Sequence, residues 1–128
     1  MSNEEKEIIA ICAQMIVSAI SVIEIIVSIL LLYNEKLEIK GEKTLFNAEQ
    51  AQKISVFNRT FILVTAIIFL IINYALYKIS KEQGENLKPY ELQIAASYLT
   101  IIAAIITLYI VLNPINEGQV VDVENPII

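Results

Sequence analysis

The segment IIAICAQMIVSAISVIEIIVSILLLY, Ile8–Tyr33, decides the fold of this chain. As a helix it would be roughly 39 Å long, which exceeds the thickness of a bilayer's hydrocarbon core. Glu24 is its one charged residue. Two further apolar segments, Phe57–Ile79 and Leu92–Leu112, also reach the roughly 20 residues that a spanning helix needs. The sequence therefore predicts an all-α integral membrane protein, in which residues 1–128 form a single domain with three transmembrane helices in a bundle.

Composition supports this interpretation. Of the 128 residues, 56% are hydrophobic and the mean hydropathy is +0.64, whereas soluble domains are roughly 45–50% apolar with charges throughout. Here the charges are concentrated at the termini and in two connecting segments. A soluble fold would need three helices buried on all sides, and the chain is too short to cover them.

Turn and cap residues predict where the helices end. Gly41 and Gly84 are placed to terminate the first two helices, because glycine readily adopts the positive φ that a helix C-terminus often requires. Thr44 is predicted to cap a second helix that begins at Leu45. Pro89 suits the first turn of the third helix.

The segment 34–56 between the first two spans is more than a simple loop. Glu and Lys alternate there around regularly spaced apolar residues, as on a solvated helix with i,i+4 ion pairs. We expect both helices to continue beyond the bilayer as an antiparallel hairpin that turns near residues 41–43 and projects about 15–20 Å. The alternative is two short helices lying flat at the membrane surface.

The ends of the chain bear on topology. Pro114 is predicted to end the third helix, and the acidic tail 115–128 is predicted to be extended or mobile.

The basic residues of the connecting segments and tails give little information on orientation. There are five on one side of the spans and four on the other, so the positive-inside bias is small. The acidic N-terminal tail is easier to translocate, which favours an N-out, C-in topology. Abundant Ile, Lys, Glu and Asn are typical of an AT-rich genome and favour a bacterial cell membrane.

Each span carries a polar face. On the first helix, serine, glutamine and glutamate recur every three or four residues, which confines them to one side; they are Gln14, Ser18, Ser21, Glu24 and Ser28. The third helix repeats the pattern with Gln93, Ser97, Thr100 and Thr107, and the second has a weaker version with Asn58, Thr65 and Asn73. Such faces allow membrane helices to pack closely and to hydrogen-bond across the contact. The competing interpretation is that these polar faces line a water-filled pore or substrate path.

Glu24 is the most informative of these residues, because a charge near a bilayer centre costs about 3 kcal/mol on the mildest scale. Three arrangements would compensate it. The first is an ion pair with Arg59, which antiparallel pairing about residue 42 brings near, since it places Glu24 opposite Thr60. The second is a protonated Glu24 that hydrogen-bonds to Thr65 or Thr107. The third is an acidic constriction formed by several copies.

Asn73 is expected to hydrogen-bond to Ser18, Ser97 or Thr100 on a neighbouring helix. The candidate functional residues within the membrane are Glu24, Arg59, Thr65, Asn73, Ser21, Ser28, Thr100 and Thr107.

The residue content argues against several functional classes. There is no histidine and only one cysteine, and the chain lacks a glycine-rich phosphate loop, so we expect no enzyme, no catalytic residue, no metal site and no cofactor. The net charge of −5 and the single arginine argue against nucleic-acid binding. The expected partners are the lipid bilayer and either further copies or other membrane subunits.

Two functions remain open. The first is a non-enzymatic structural or accessory component of a membrane assembly, which packs through its polar helix faces. The second is a homo-oligomeric pore or ion-conducting protein with Glu24 in the path. In architecture alone, the chain resembles phage holins and small accessory subunits of bacterial membrane complexes.

Overall fold

A computed structural model of the chain describes residues 1–113. These residues form three helices: α1 spans Asn3–Ile39, α2 spans Ala48–Glu82 and α3 spans Lys88–Leu112. The described residues contain no β-strand. Each helix is long and apolar enough to cross a membrane, as the sequence predicts. The predictions for Pro114 and for the acidic tail 115–128 lie outside the described residues.

Two glycines end the first two helices, as predicted. Gly41 and Gly84 both have φ of +70°, a conformation that favours glycine because it has no Cβ. Each follows a helix end closed by paired backbone hydrogen bonds. Gly41 N donates to Glu38 O at 3.0 Å and the next amide donates to Leu37 O at 2.9 Å. This is the Schellman arrangement, which satisfies carbonyl groups that a helix end leaves open.

The start of α2 differs from the prediction. The helix begins at Ala48 rather than Leu45, and its cap is Asn47 rather than Thr44. Asn47 Oδ1 accepts from Gln50 N at 2.8 Å, and Gln50 Oε1 accepts from Asn47 N at 3.1 Å. This reciprocal capping box satisfies two amides at once, so it is preferred over a single threonine cap. Pro89 does lie in the first turn of α3.

The segment 34–56 belongs largely to the two long helices. Helix α1 continues to Ile39 and α2 begins at Ala48, so the alternative of two separate surface helices is wrong. The turn between them is held by Asn34, whose Oδ1 accepts from Phe46 N at 2.8 Å. The position of this hairpin relative to a membrane remains a prediction.

Most of the apolar surface is left uncovered by the protein itself. Only 17–22% of the most apolar stretch of each helix is buried. Large side chains such as Ile16, Ile71 and Leu99 are more than 60% exposed. A soluble protein of this size does not expose so much contiguous apolar surface. The helices therefore indicate a multi-pass membrane protein, whose outer surface suits lipid.

The helices pack as an open arrangement with α2 in the middle. Helix α2 packs against both α1 and α3, whereas the backbones of α1 and α3 do not come into contact anywhere in residues 1–113. Near one end, Ala10 and Val17 of α1 pack against Ile72 and Leu76 of α2. Because the backbones of α1 and α3 stay apart, a crevice remains between them along α2, and this crevice positions the candidate site.

Candidate functional site, a polar groove on α2

Helix α2 forms the floor of a groove whose walls are α1 and α3. It consists of two adjoining crevices of about 180 Å³ and 290 Å³, which share Ala66, Phe69 and Thr100. We call it the polar groove. Its hydrogen-bonding residues come from all three helices: Ser21, Glu24 and Ser28; Arg59, Thr65 and Asn73; Gln93, Ser97 and Thr100.

Seven of the eight candidate residues line this groove. The exception is Thr107, which is buried on α3 and donates to Ala104 O of its own helix at 3.0 Å. Glu24 is hydrogen-bonded to Thr65 and not to Thr107, so the Thr107 part of the protonated-Glu24 hypothesis is wrong. The other seven residues line the same groove because the helical period puts residues three or four apart on one face.

Glu24 is 7% exposed and lies between α1 and α2. Its Oε2 is 2.9 Å from Thr65 Oγ1, and the same hydroxyl oxygen is 2.8 Å from Phe61 O. Arg59 lines the same crevice but forms no salt bridge with Glu24 among the described residues. Of the arrangements expected from sequence, the hydrogen bond to Thr65 is present and the Glu24–Arg59 ion pair is not.

The helix register explains this outcome. Pairing about residue 42 puts Thr60 opposite Glu24, but Thr60 is exposed and donates to Val56 O at 2.8 Å. The observed partner is Thr65, which lies five residues farther along α2. The offset arises because residues 40–47 turn outside either helix.

Asn58 belongs to the predicted polar face of α2 but is not among the candidate functional residues. Its Nδ2 donates to Ser28 Oγ at 3.1 Å and to the main-chain oxygen of Glu24 at 3.2 Å. Ser28 is fully buried and Asn58 is 5% exposed. An amide within an apolar segment, roughly opposite Ser28 in antiparallel pairing, is a signal that would have found this bridge.

Arg59 is the largest fully buried side chain, at 1% exposed. It lies near Asn58 and Ser28 at the α1–α2 side of the groove. On the exposed side of α2, Lys53 and Glu49 form an ion pair whose atoms are 3.3 Å apart. Arg59 is therefore a buried cationic side chain within the groove, whereas Lys53 and Glu49 are exposed.

The α2–α3 side of the groove is held by a second hydrogen bond. Asn73 Nδ2 donates to Ser97 Oγ at 2.7 Å, so Ser97 is the partner among the three that the sequence allowed. Ser97 in turn donates to Gln93 O at 3.0 Å. The polar faces of α2 and α3 therefore meet, as the packing interpretation requires.

A double-mutant cycle tests this contact. We expect Asn73→Leu and Ser97→Ala to show a coupling of about 0.6–1.7 kcal/mol in the free energy of unfolding, because the bond joins two helices in an apolar setting. The control pairs Asn73→Leu with Thr100→Ala, since Thr100 donates to Ala96 O of its own helix. That pair should be additive; equal coupling in both cycles would contradict the assignment.

A second, apolar groove lies on the other side of the α1–α2 contact. It has a volume of about 650 Å³, and we call it the apolar groove. Ile20, Ile23, Val27, Ile54, Phe57 and Phe61 form most of its lining, with Lys53, and Glu24 and Asn58 also border it. Glu24 thus lies between an apolar and a polar groove, and little polar surface faces it from the apolar side.

The groove has no features of a metal centre. Within residues 1–113, no three residues of the His, Cys, Asp or Glu types cluster to hold a metal ion.

Comparison of the chain with protein-family models, with curated proteins and with solved structures found no match. The groove's own geometry therefore carries the functional argument.

Proposed function

We propose that this protein is a non-enzymatic, multi-pass component of a bacterial cell membrane that associates with a second copy of itself through the polar groove. The observation that carries the proposal is the groove itself. Hydrogen-bonding side chains from three helices meet in a crevice between α1 and α3, and Gln93 and Thr100 on the α3 wall are exposed.

Exposed polar side chains such as Gln93 and Thr100 are unfavourable in lipid, because hydrocarbon offers no hydrogen-bond partners. A further transmembrane helix would cover the groove. Ala66 on the floor and Ala96 on the α3 wall are small, and small residues let helix backbones approach closely. These features favour a helix as the occupant.

The chain itself offers a helix face of the matching kind. The polar face of α1 is only partly used internally: Glu24 and Ser28 are buried, whereas Ser18 is exposed and Gln14 is half-buried. Ser18 lies one turn from Ser21, which lines the groove. Two copies with the same orientation in one membrane would place these residues at similar depth. A second copy is therefore the occupant that we propose.

Co-purification of two differently tagged copies tests the proposal. We expect wild-type copies to co-purify from one membrane and Ala96→Phe copies to lose association about tenfold or more, because a large ring would fill the groove at a cost of about 1–3 kcal/mol. Ala95→Phe is the matched control, since Ala95 is also exposed but borders neither described groove.

Two results would contradict self-association. One is that wild-type copies fail to co-purify. The other is that Ala95→Phe and Ala96→Phe weaken association equally, which would place the interface elsewhere.

The second candidate function is a homo-oligomeric pore or ion-conducting protein. The observation that favours it is Glu24, whose carboxyl group borders the polar groove. A conducting path would need several copies, because three helices do not enclose a useful channel. A strictly monomeric native mass in mild detergent would remove this candidate. Conduction in vesicles that Glu24→Gln abolishes would support it.

A further inference from the structure

The hydroxyl group of Thr65 faces two oxygen atoms but carries a single proton. Its Oγ1 is 2.8 Å from Phe61 O and 2.9 Å from Glu24 Oε2. The carbonyl oxygen of Phe61 can only accept. If Thr65 donates to Phe61, the hydrogen between Thr65 and Glu24 must come from the carboxyl group.

Four other hydroxyl groups on these helices donate to the carbonyl oxygen four residues earlier. They belong to Ser21, Thr60, Ser97 and Thr100, at 2.8–3.1 Å. The bond from Thr65 to Phe61 is as short as the shortest of them. Thr65 therefore bonds in the same way as these four residues, by donating its hydroxyl proton to a carbonyl oxygen of its own helix.

Among residues 1–113, no cationic group lies within salt-bridge distance of the Glu24 carboxyl group. From α2, Arg59 lines the same crevice and forms no salt bridge with it, and Asn58 donates to its main-chain oxygen rather than to its carboxyl group. Lys53 borders the apolar groove, with its ammonium 3.3 Å from Glu49. From α3, Thr100 reaches this crevice and carries no charge.

We propose that Glu24 is a proton-binding site within the membrane, occupied at neutral pH, whose neutral carboxyl group donates a hydrogen bond to Thr65. A buried carboxylate without a partner is far costlier than a protonated one, so such groups neutralise. Loss of the proton would require the Thr65 hydroxyl to turn from Phe61 toward Glu24. The proposal is independent of self-association, since it concerns a contact within one chain.

Infrared difference spectroscopy on the full chain in phosphatidylcholine vesicles at neutral pH tests the proposal. Subtracting the spectrum of Glu24→Gln from that of the wild type should reveal the carbonyl stretch of a protonated carboxyl group, lost in the variant. In Thr65→Val the band should persist but shift, because its hydrogen-bond acceptor is gone. A difference confined to the bands of an ionised carboxylate would overturn the proposal.

Labelling of the wild type with dicyclohexylcarbodiimide gives a second readout if a variant fails to fold, because this lipophilic reagent modifies protonated carboxyl groups. The apolar groove provides its route to Glu24. We expect mass spectrometry to find the label on Glu24 and not on Glu38, an exposed carboxylate of the same helix. An unlabelled Glu24 would contradict the proposal.

Discussion

Ser28→Leu should destabilise the protein by about 2–5 kcal/mol, because it overfills a closed contact and removes a hydrogen-bond acceptor. Ser28 is 0% exposed, and its Oγ accepts from Asn58 Nδ2 at 3.1 Å. A leucine there would force α1 and α2 apart and leave a buried amide donor with one partner fewer. The free energy of unfolding in mixed detergent micelles measures the effect.

The control is Ala19→Leu, which places the same side chain elsewhere on the same helix. Ala19 is exposed and borders none of the grooves, so the substitution should alter the free energy of unfolding by no more than about 0.5 kcal/mol. Equal losses in the two variants would show that the α1–α2 contact at Ser28 is not what holds these helices together.

Glu24→Lys is expected to have the second largest effect. It places a positive charge at a site that is 7% exposed, in the crevice that Arg59 also lines. A lysine near the bilayer centre costs about 3 kcal/mol on the mildest scale, and repulsion from Arg59 would add to this. We expect the variant to accumulate poorly in the membrane and to unfold at lower denaturant concentration than the wild type.

Glu24→Gln is the companion variant, because glutamine keeps the shape of the side chain and can donate to Thr65 as a neutral carboxyl group does. We expect its stability to lie within about 1 kcal/mol of the wild type. A loss as large as that of Glu24→Lys would show that the negative charge itself is needed, as in an ion pair with a nearby cation.

The sequence predicts the helical part of this structure well, since long apolar segments bounded by glycine and proline leave few alternatives. The ends at Gly41 and Gly84 are confirmed because positive φ at a helix end is nearly specific to glycine. The start of α2 was misplaced because a reciprocal cap from Asn47 and Gln50 competes with the single cap that Thr44 would provide.

Polar faces could be predicted, but not the partners within them. Helical periodicity puts Ser21, Glu24 and Ser28 on one side of α1, yet it does not fix the offset between α1 and α2. An offset of six residues, or about 9 Å along the helix, separates an expected contact near Arg59 from the observed one with Thr65. The separation of α1 and α3, which creates the polar groove, could not be predicted from the sequence. All three helices are similarly apolar, so composition does not indicate which pairs of helices pack together.

The central claim is that a helix of a second copy covers the polar groove. It is tested most directly by cross-linking two copies in one membrane, one carrying Ser18→Cys and the other Thr100→Cys. Both copies also carry Cys12→Ser, because Cys12 is exposed. The control replaces Thr100→Cys with Ile102→Cys, whose side chain is 53% exposed on the outer side of α3. We predict that a short thiol cross-linker joins the Ser18→Cys and Thr100→Cys copies and leaves the Ile102→Cys pair as monomers. Equal cross-linking of the two pairs, or none in either, would contradict the account.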